Sequence, residues 1–210
     1  DLWLSGTAEV PLTSMYAGEI LQAAQLPILY AAYSPCFRRE AGSYGRDLKG
    51  VFRVHQFNKV EQFVICEADE AESIKWHETL LANAESLMQA LELPYRVVNC
   101  CGGELGLGHR KRYDVEAWVP SEGRYRETQS CSYYLEYQAR RANLRYRDAS
   151  GRRFDPDSGG ASAVSQWDDG DSPGVAQERR VVASHGGGRL APTRCRSQPN
   201  RRWRCTPPRP

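Results

Sequence analysis

No stretch of the 210-residue chain approaches the roughly 20 consecutive apolar residues of a membrane-spanning helix, so no membrane partner is expected. Neither sign of charge is in excess. With 28 Lys and Arg against 26 Asp and Glu, the formal net charge of +2 argues neither for nor against a nucleic-acid partner. Cysteines number seven, an odd count that includes the adjacent pair Cys100 and Cys101, and they form no CxxC and no Cys/His spacing. That pattern gives no disulfide framework and no expected zinc site, and it fits a reducing cytoplasm. The opening residues, DLWLSGTAEV, lack both the basic region of a secretion signal and an initiator methionine, so the chain is expected to begin inside a larger protein. The length remaining is enough to bury a real core.

What the chain does have is concentrated between Phe37 and Glu61, FRREAGSYGRDLKGVFRVHQFNKVE. It reads as two strands joined by a glycine-rich polar turn. Alternation on the second places Arg53, His55, Phe57, Lys59 and Glu61 on one face. The other face, Val54, Gln56, Asn58, Val60 and Gln62, is mixed, so polarity does not decide which side is buried. On the first strand Arg38 and Glu40 share a side. Cations, carboxylates and a flat aromatic converging on one surface suit an anionic, ring-bearing ligand that also carries an ammonium group.

Around this stretch, residues 1–154 read as one α+β unit with a largely antiparallel sheet. Asp1 to Pro11 suggests strand and turn, and Ser14 to Gln25 a short helix carrying Met15, Ile20 and Leu21, closed by Pro27. Asp69 with Glu72 three residues on resembles a capping box. It opens a long amphipathic helix through Ile74, Leu81, Ala84, Leu87, Met88 and Leu91, ending before Pro94. Tyr95 to Cys101, Tyr113 to Pro120, Arg124 to Ser132 and Ala142 to Arg147 read as strands, the middle two joined by the turn Ser121-Glu122-Gly123.

After Phe154 the composition changes. Asp155 to Pro210 holds one leucine and no isoleucine, phenylalanine, tyrosine or lysine, and is crowded with Gly, Pro, Ser and Arg. Such a composition does not repay the entropy of ordering, so residues 155–210 are expected to form a low-complexity, disordered tail. Its arginine-rich end could serve as a basic arm for nucleic acid with Trp203 for stacking, but nothing periodic favours that over a tail without function.

Three segments carry a family resemblance: GTAEVPLT (6–13), FRREAGSYGRDLKGVFRVHQFNKVEQF (37–63) and YDVEAWVPSEGRYRETQSCSYYLEYQARRANLRYRD (113–148). In this order they resemble the catalytic core of a bacterial-type seryl-tRNA synthetase: its serine-binding TAE element, its class II motif 2, and the strand that carries its metal and ATP carboxylate. A lone FRxE would be weak. The resemblance implies a class II antiparallel sheet flanked by helices, ATP and Mg²⁺ as cosubstrate and cofactor, and L-serine, tRNA(Ser) and tRNA(Sec) as partners. It also implies activation of serine to seryl-adenylate, transfer to tRNA, and a homodimer in the family.

Residue by residue, the resemblance implies that Arg38 bridges the α-phosphate and the serine carboxylate. Glu40 would meet the adenine amino group, Phe57 would stack on the ring, the backbone of Val54 would read its edge, and Arg53 would hold the terminal phosphates. Thr7, Glu9 and Glu61 would surround serine, with Glu61 on its amine. Glu127 and Ser130 would bind Mg²⁺, which takes one or two protein oxygens and keeps its waters. Those two lie three apart, so their strand must bulge to turn both inward.

Taken singly, these residues read as a solvated or salt-bridged strand face, a core phenylalanine and exposed carboxylates. His55, His77 and His109 read as structural, and Cys131 has no basic partner that would make it a nucleophile. Against the resemblance, the chain lacks the family's helical tRNA-gripping arm and motif 1. After RYRD it also lacks the aromatic-threonine-leucine-asparagine strand and the motif 3 arginine. A one-base frame change near codon 155 would account for that break. Two other readings stay open: a related ligase that loads an amino acid onto a carrier protein, and a non-catalytic RNA-binding remnant.

Overall fold

The computed structural model describes residues 1–40, 53–151, 153–154 and 162–168. Its centre is a six-stranded antiparallel sheet in the order β2-β3-β9-β6-β5-β4, formed by β2 (Ile28–Phe37), β3 (Gln56–Cys66), β4 (Tyr95–Asn99), β5 (Lys111–Val119), β6 (Arg124–Tyr133) and β9 (Ser162–Asp168). A smaller sheet joins β1 (Ile20–Gln22), β7 (Arg145–Arg147) and β8 (Arg153–Phe154). Three helices, α1 (Glu9–Ser14), α2 (Glu70–Ala90) and α3 (Tyr137–Ala142), flank them. This is the α+β, class II-type arrangement expected. Among the described residues no helix is long and apolar enough to cross a membrane.

Helix α2 covers one face of the large sheet. Asp69 caps it as the sequence indicates, its Oδ1 accepting the Glu72 N–H at 2.9 Å. The buried stripe is Ser73, His77, Leu80, Leu81, Ala84 and Met88, while Ile74 and Leu87 remain partly exposed. Leu80 packs on Val64, Cys66, Cys131 and Tyr133, and Leu81, Ala84 and Met88 pack on Tyr95, Val115 and Ala117. On the opposite face α1, α3 and the small sheet bury Ala8, Leu12, Leu21, Phe63, Ile65, Ala139, Leu144 and Tyr146 in a second cluster. That cluster covers only part of the face, and the remainder carries the polar residues described below.

Several local expectations are corrected. The first helix is Glu9–Ser14, not Ser14–Gln25, and no strand forms within Asp1–Pro11. Pro11 sits in the helix's first turn, where its missing N–H has no partner to lose. Ile20–Gln22 is instead a strand, paired in parallel with Arg145–Arg147. The stretch read as a strand from Ala142 is the end of α3, closed by Asn143 in the left-handed conformation at φ 52°, and β7 begins only at Arg145. Strand β2 ends at Phe37, so Arg38 and Glu40 lie beyond it and do not share a strand face; Glu40 takes a positive φ of 51°. Arg53, Val54 and His55 likewise precede β3. Pairing nevertheless continues past Phe37, since the Arg38 N–H donates to the His55 carbonyl at 2.9 Å.

The largest departure lies after Phe154. Ser162–Asp168, which composition assigns to an unstructured tail, forms β9 and pairs with β3 on one side and β6 on the other. Without it both β3 and β6 would present a row of unpaired backbone groups. Filling that gap is a tertiary demand that composition does not reveal. The glycine-rich turn at 41–52 and the rest of the tail, 155–161 and 169–210, lie outside the described residues.

Candidate active site

Alternation on β3 sends Phe57, Lys59, Glu61, Phe63 and Ile65 to the face opposite α2, and the structure resolves the ambiguity left by polarity. Glu61 is fully buried and Lys59 is 2% exposed. Both meet the segment leading into α1. Lys59 Nζ lies 2.6 Å from Glu61 Oε2 and donates to Thr7 Oγ1 at 2.5 Å. Thr7 Oγ1 in turn donates to Glu61 Oε2 at 3.0 Å and accepts the Glu9 N–H at 3.2 Å. Glu61 Oε2 therefore receives two donors, whereas Oε1 is buried with no hydrogen-bond partner. Burial pushes the Glu61 carboxyl above its ordinary range; the Lys59 charge opposes this and the Glu9 charge adds to it. The Glu9 carboxylate accepts a hydrogen bond from the Gln138 amide of α3.

A second group lies at the ends of β2 and β3. The Arg38 guanidinium stands 4.9 Å from the centre of the Phe57 ring, and its Nε donates to the Gly6 carbonyl at 3.3 Å. Gly6 adjoins Thr7, so Arg38 and the Glu61 cluster share one chain segment. Glu40 and Arg53 form an ion pair at 2.6 Å. A left-handed non-glycine residue such as Glu40 costs about 1 kcal/mol or more and is found where surroundings hold it in place. Val54 lies in the short irregular stretch between Arg53 and β3.

The third group is on β6. Gln129 pairs with Val115 but Glu127 pairs with Glu116, so Thr128 is the extra residue of a bulge. The shift puts Glu127 and Ser130 on one face, opposite Glu116 and Asp114 respectively. The resemblance, by turning both residues of RETQS inward, implied such a bulge. Across the sheet Glu61, Trp167, Ser130 and Asp114 occupy one register row, linked pair by pair through β9. Glu61 and Ser130 are thus two strand spacings apart, about 10 Å. Among the described residues no group of three or more His, Cys, Asp and Glu side chains is placed to hold a metal ion. A carboxylate and a hydroxyl on one strand face suit an ion that retains most of its water shell.

The sequence-derived candidates thus fall into a Thr7–Glu9–Glu61 cluster, an Arg38–Phe57 pair, a Glu40–Arg53 pair and a Glu127–Ser130 pair. Two further residues complete the first cluster. Lys59 stood on the expected face but no position-specific role followed from it; its signal was a lysine two residues from a glutamate on a strand face that also held an aromatic. Gln138 gave no local signal, because its contact with Glu9 spans 129 positions.

Comparison with known proteins explains the combination. The model of the tRNA synthetase class II core domain (G, H, P, S and T) matches residues 1–165. The chain belongs to this class II synthetase family. Among curated relatives, the serine–tRNA ligase of Deinococcus radiodurans is 60% identical over 152 residues, 72% of this chain, and that of Synechococcus elongatus 59% identical over 156 residues, 73% of it. This synthetase core spans 36% of the length of each of those relatives. The seryl-tRNA synthetase of Pyrococcus horikoshii, solved in complex with ATP, superposes with a TM-score of 0.78 at 46% identity, over 85% of this chain and 39% of its own. The cytoplasmic serine–tRNA ligase of Naegleria fowleri, solved with AMP, gives 0.70 at 34% identity, over 78% and 38%.

Proposed function

We propose that this synthetase core binds ATP and L-serine as part of a serine–tRNA ligase. The observation that carries the reading is the buried Glu61 carboxylate, held by Lys59 and Thr7 with one oxygen left over, beside Arg38 and Phe57. A buried anionic acceptor suits an ammonium, and the adjacent guanidinium and ring suit a phosphate and a purine. Glu61, with Thr7 and Glu9, takes the serine amine and lines its pocket. Phe57 stacks on adenine, the Val54 backbone reads its edge, and Glu40 meets its amino group. Arg53 holds the terminal phosphates, which requires the Glu40–Arg53 pair to open or be shared when nucleotide binds.

The reaction is an in-line displacement: an oxygen of the serine carboxylate forms a bond to the α-phosphorus, and the bond to pyrophosphate breaks. The protein therefore contributes alignment and charge rather than a covalent group. Arg38 spans the α-phosphate and the serine carboxylate, holding the two reactants together and meeting the charge that grows between them. Glu127 and Ser130 would hold Mg²⁺, which supplies neutralisation of the phosphate charge when bound. The whole protein would pass the seryl group to tRNA(Ser) or tRNA(Sec), as a dimer, in the cytoplasm.

Titration calorimetry with a non-hydrolysable seryl-adenylate analogue tests this reading on the 210-residue chain. The analogue should bind at least about 10-fold more tightly than AMP, the difference being the contribution of the seryl group in the Glu61 pocket. Equal affinity for the two, or no binding of either, refutes it.

A further inference from the structure

The side chain that completes the Glu61 cluster is a lysine buried within the range of the apolar core. Removing an ammonium from water costs several kcal/mol, so its place needs a physical reason. Its ammonium meets Glu61 Oε2 and Thr7 Oγ1, at 2.6 and 2.5 Å. Together with the Thr7 hydroxyl it occupies one carboxylate oxygen and leaves Oε1 as the buried acceptor without a partner. We propose that Lys59 is a positioning residue: it fixes Glu61 as an oriented anion whose Oε1 alone is presented to the α-ammonium of the amino-acid substrate.

Two effects compete when Lys59 is removed. A bare carboxylate would attract the substrate ammonium more strongly, since the neighbouring cation is gone. On the other side stand burial and the nearby Glu9, which already hold the Glu61 carboxyl above its usual range with Lys59 in place. Without the lysine, burial and the Glu9 charge act against one opposing cation fewer, and the neutral form of Glu61 gains over the anion. A neutral carboxyl, free to turn, offers the amine a weak and poorly aimed acceptor. Charged hydrogen bonds are roughly twice as strong as neutral ones, and truncating one partner of a buried charge pair weakens an interaction by about 30-fold or more, so the amine's contribution falls by at least about 30-fold.

This inference rests on the proposed serine pocket, and its test separates the two. The affinities of two ligands are compared on each chain: the seryl-adenylate analogue and the same molecule with hydrogen in place of the amino group. Their ratio isolates the amine. In the unaltered chain the amine should strengthen binding by about 100-fold. In Lys59→Met that ratio should fall to about 3-fold or less while ATP affinity changes by less than about 3-fold; Lys59→Gln, which keeps a donor but not the charge, should lie between. An unchanged or larger ratio in Lys59→Met overturns the proposal, as does equal weakening of every ligand, which marks a purely structural lysine. If Lys59→Met does not fold, the Lys59→Gln ratio decides alone, and a value equal to that of the unaltered chain overturns the proposal. A ratio of 1 in the unaltered chain refutes the serine pocket itself, and the role of Lys59 with it.

Discussion

Replacing Gly108 by alanine should destabilise the fold by about 2–6 kcal/mol, through a contact that also supports the candidate site. Gly108 has φ +103°, which L side chains rarely adopt, and a Cβ there would sit 2.4 Å from Cδ1 of the Tyr137 ring. Backbone strain of this kind costs about 1–3 kcal/mol. Ordinary contact begins at 3.4 Å, so the ring must also retreat by about 1 Å, an overpacking cost of about 1–3 kcal/mol. Tyr137 opens α3, and the next residue, Gln138, holds the Glu9 carboxylate, so the displacement reaches the Thr7–Glu9 segment. Urea unfolding of Gly108→Ala, Tyr137→Ala and the double variant separates the two costs. If the ring is the obstacle, the double variant is more stable than the sum of the single losses by about 1–3 kcal/mol. Strict additivity, or a Gly108→Ala loss below about 0.5 kcal/mol, would refute the reasoning.

Burial lowers the pKa of His77, whose Nε2 donates to the Cys131 carbonyl at 2.9 Å and whose Nδ1 is buried without a partner. The folded state therefore binds that proton less readily than the unfolded chain. The stabilising contribution is complete above about pH 6.5 and is lost as pH falls below it, at up to about 1.4 kcal/mol per pH unit. His77→Leu should flatten the pH dependence of the unfolding free energy between pH 7 and 5; an unchanged slope would show that other groups cause it. Asp69→Ala removes the acceptor for the Glu72 N–H and should lower stability by about 1 kcal/mol in the same urea assay, with Asp69→Asn close to unaltered. Equal losses for both would assign the effect to charge at the helix end instead of the cap.

The parts of the fold that were legible in the sequence are those written locally. The start of α2 needs only Asp69, Glu72 and a 3.6-residue period, and the bulge in β6 was expected only because the family resemblance turned two residues three apart to the same side. Elements set by distant partners were not legible. Pro11 looks like a helix breaker until its place in a first turn is known, and α3 ends in a left-handed asparagine that sequence alone could assign to a turn. Leu80 and His77, not Ile74 and Leu87, lie near the centre of the α2 stripe, because Ser73 and His77 extend the buried arc on a side that hydrophobicity alone does not mark. In the site, the charged face of β3 was read correctly as a face but not as buried, because burial of Lys59 and Glu61 depends on a threonine 52 and 54 positions away.

Strand β9 sets the width of the site in a way that has a consequence for how such a site changes over time. The ladder linking Glu61 to Ser130 through position 167 is made of backbone hydrogen bonds, and these are indifferent to side-chain identity. The register of β9 can persist while its residues are replaced wholesale, and the two anchoring strands keep their separation. The spacing between the charge-handling residues on β3 and β6 is therefore carried by the backbone of a third strand, whatever sequence supplies it.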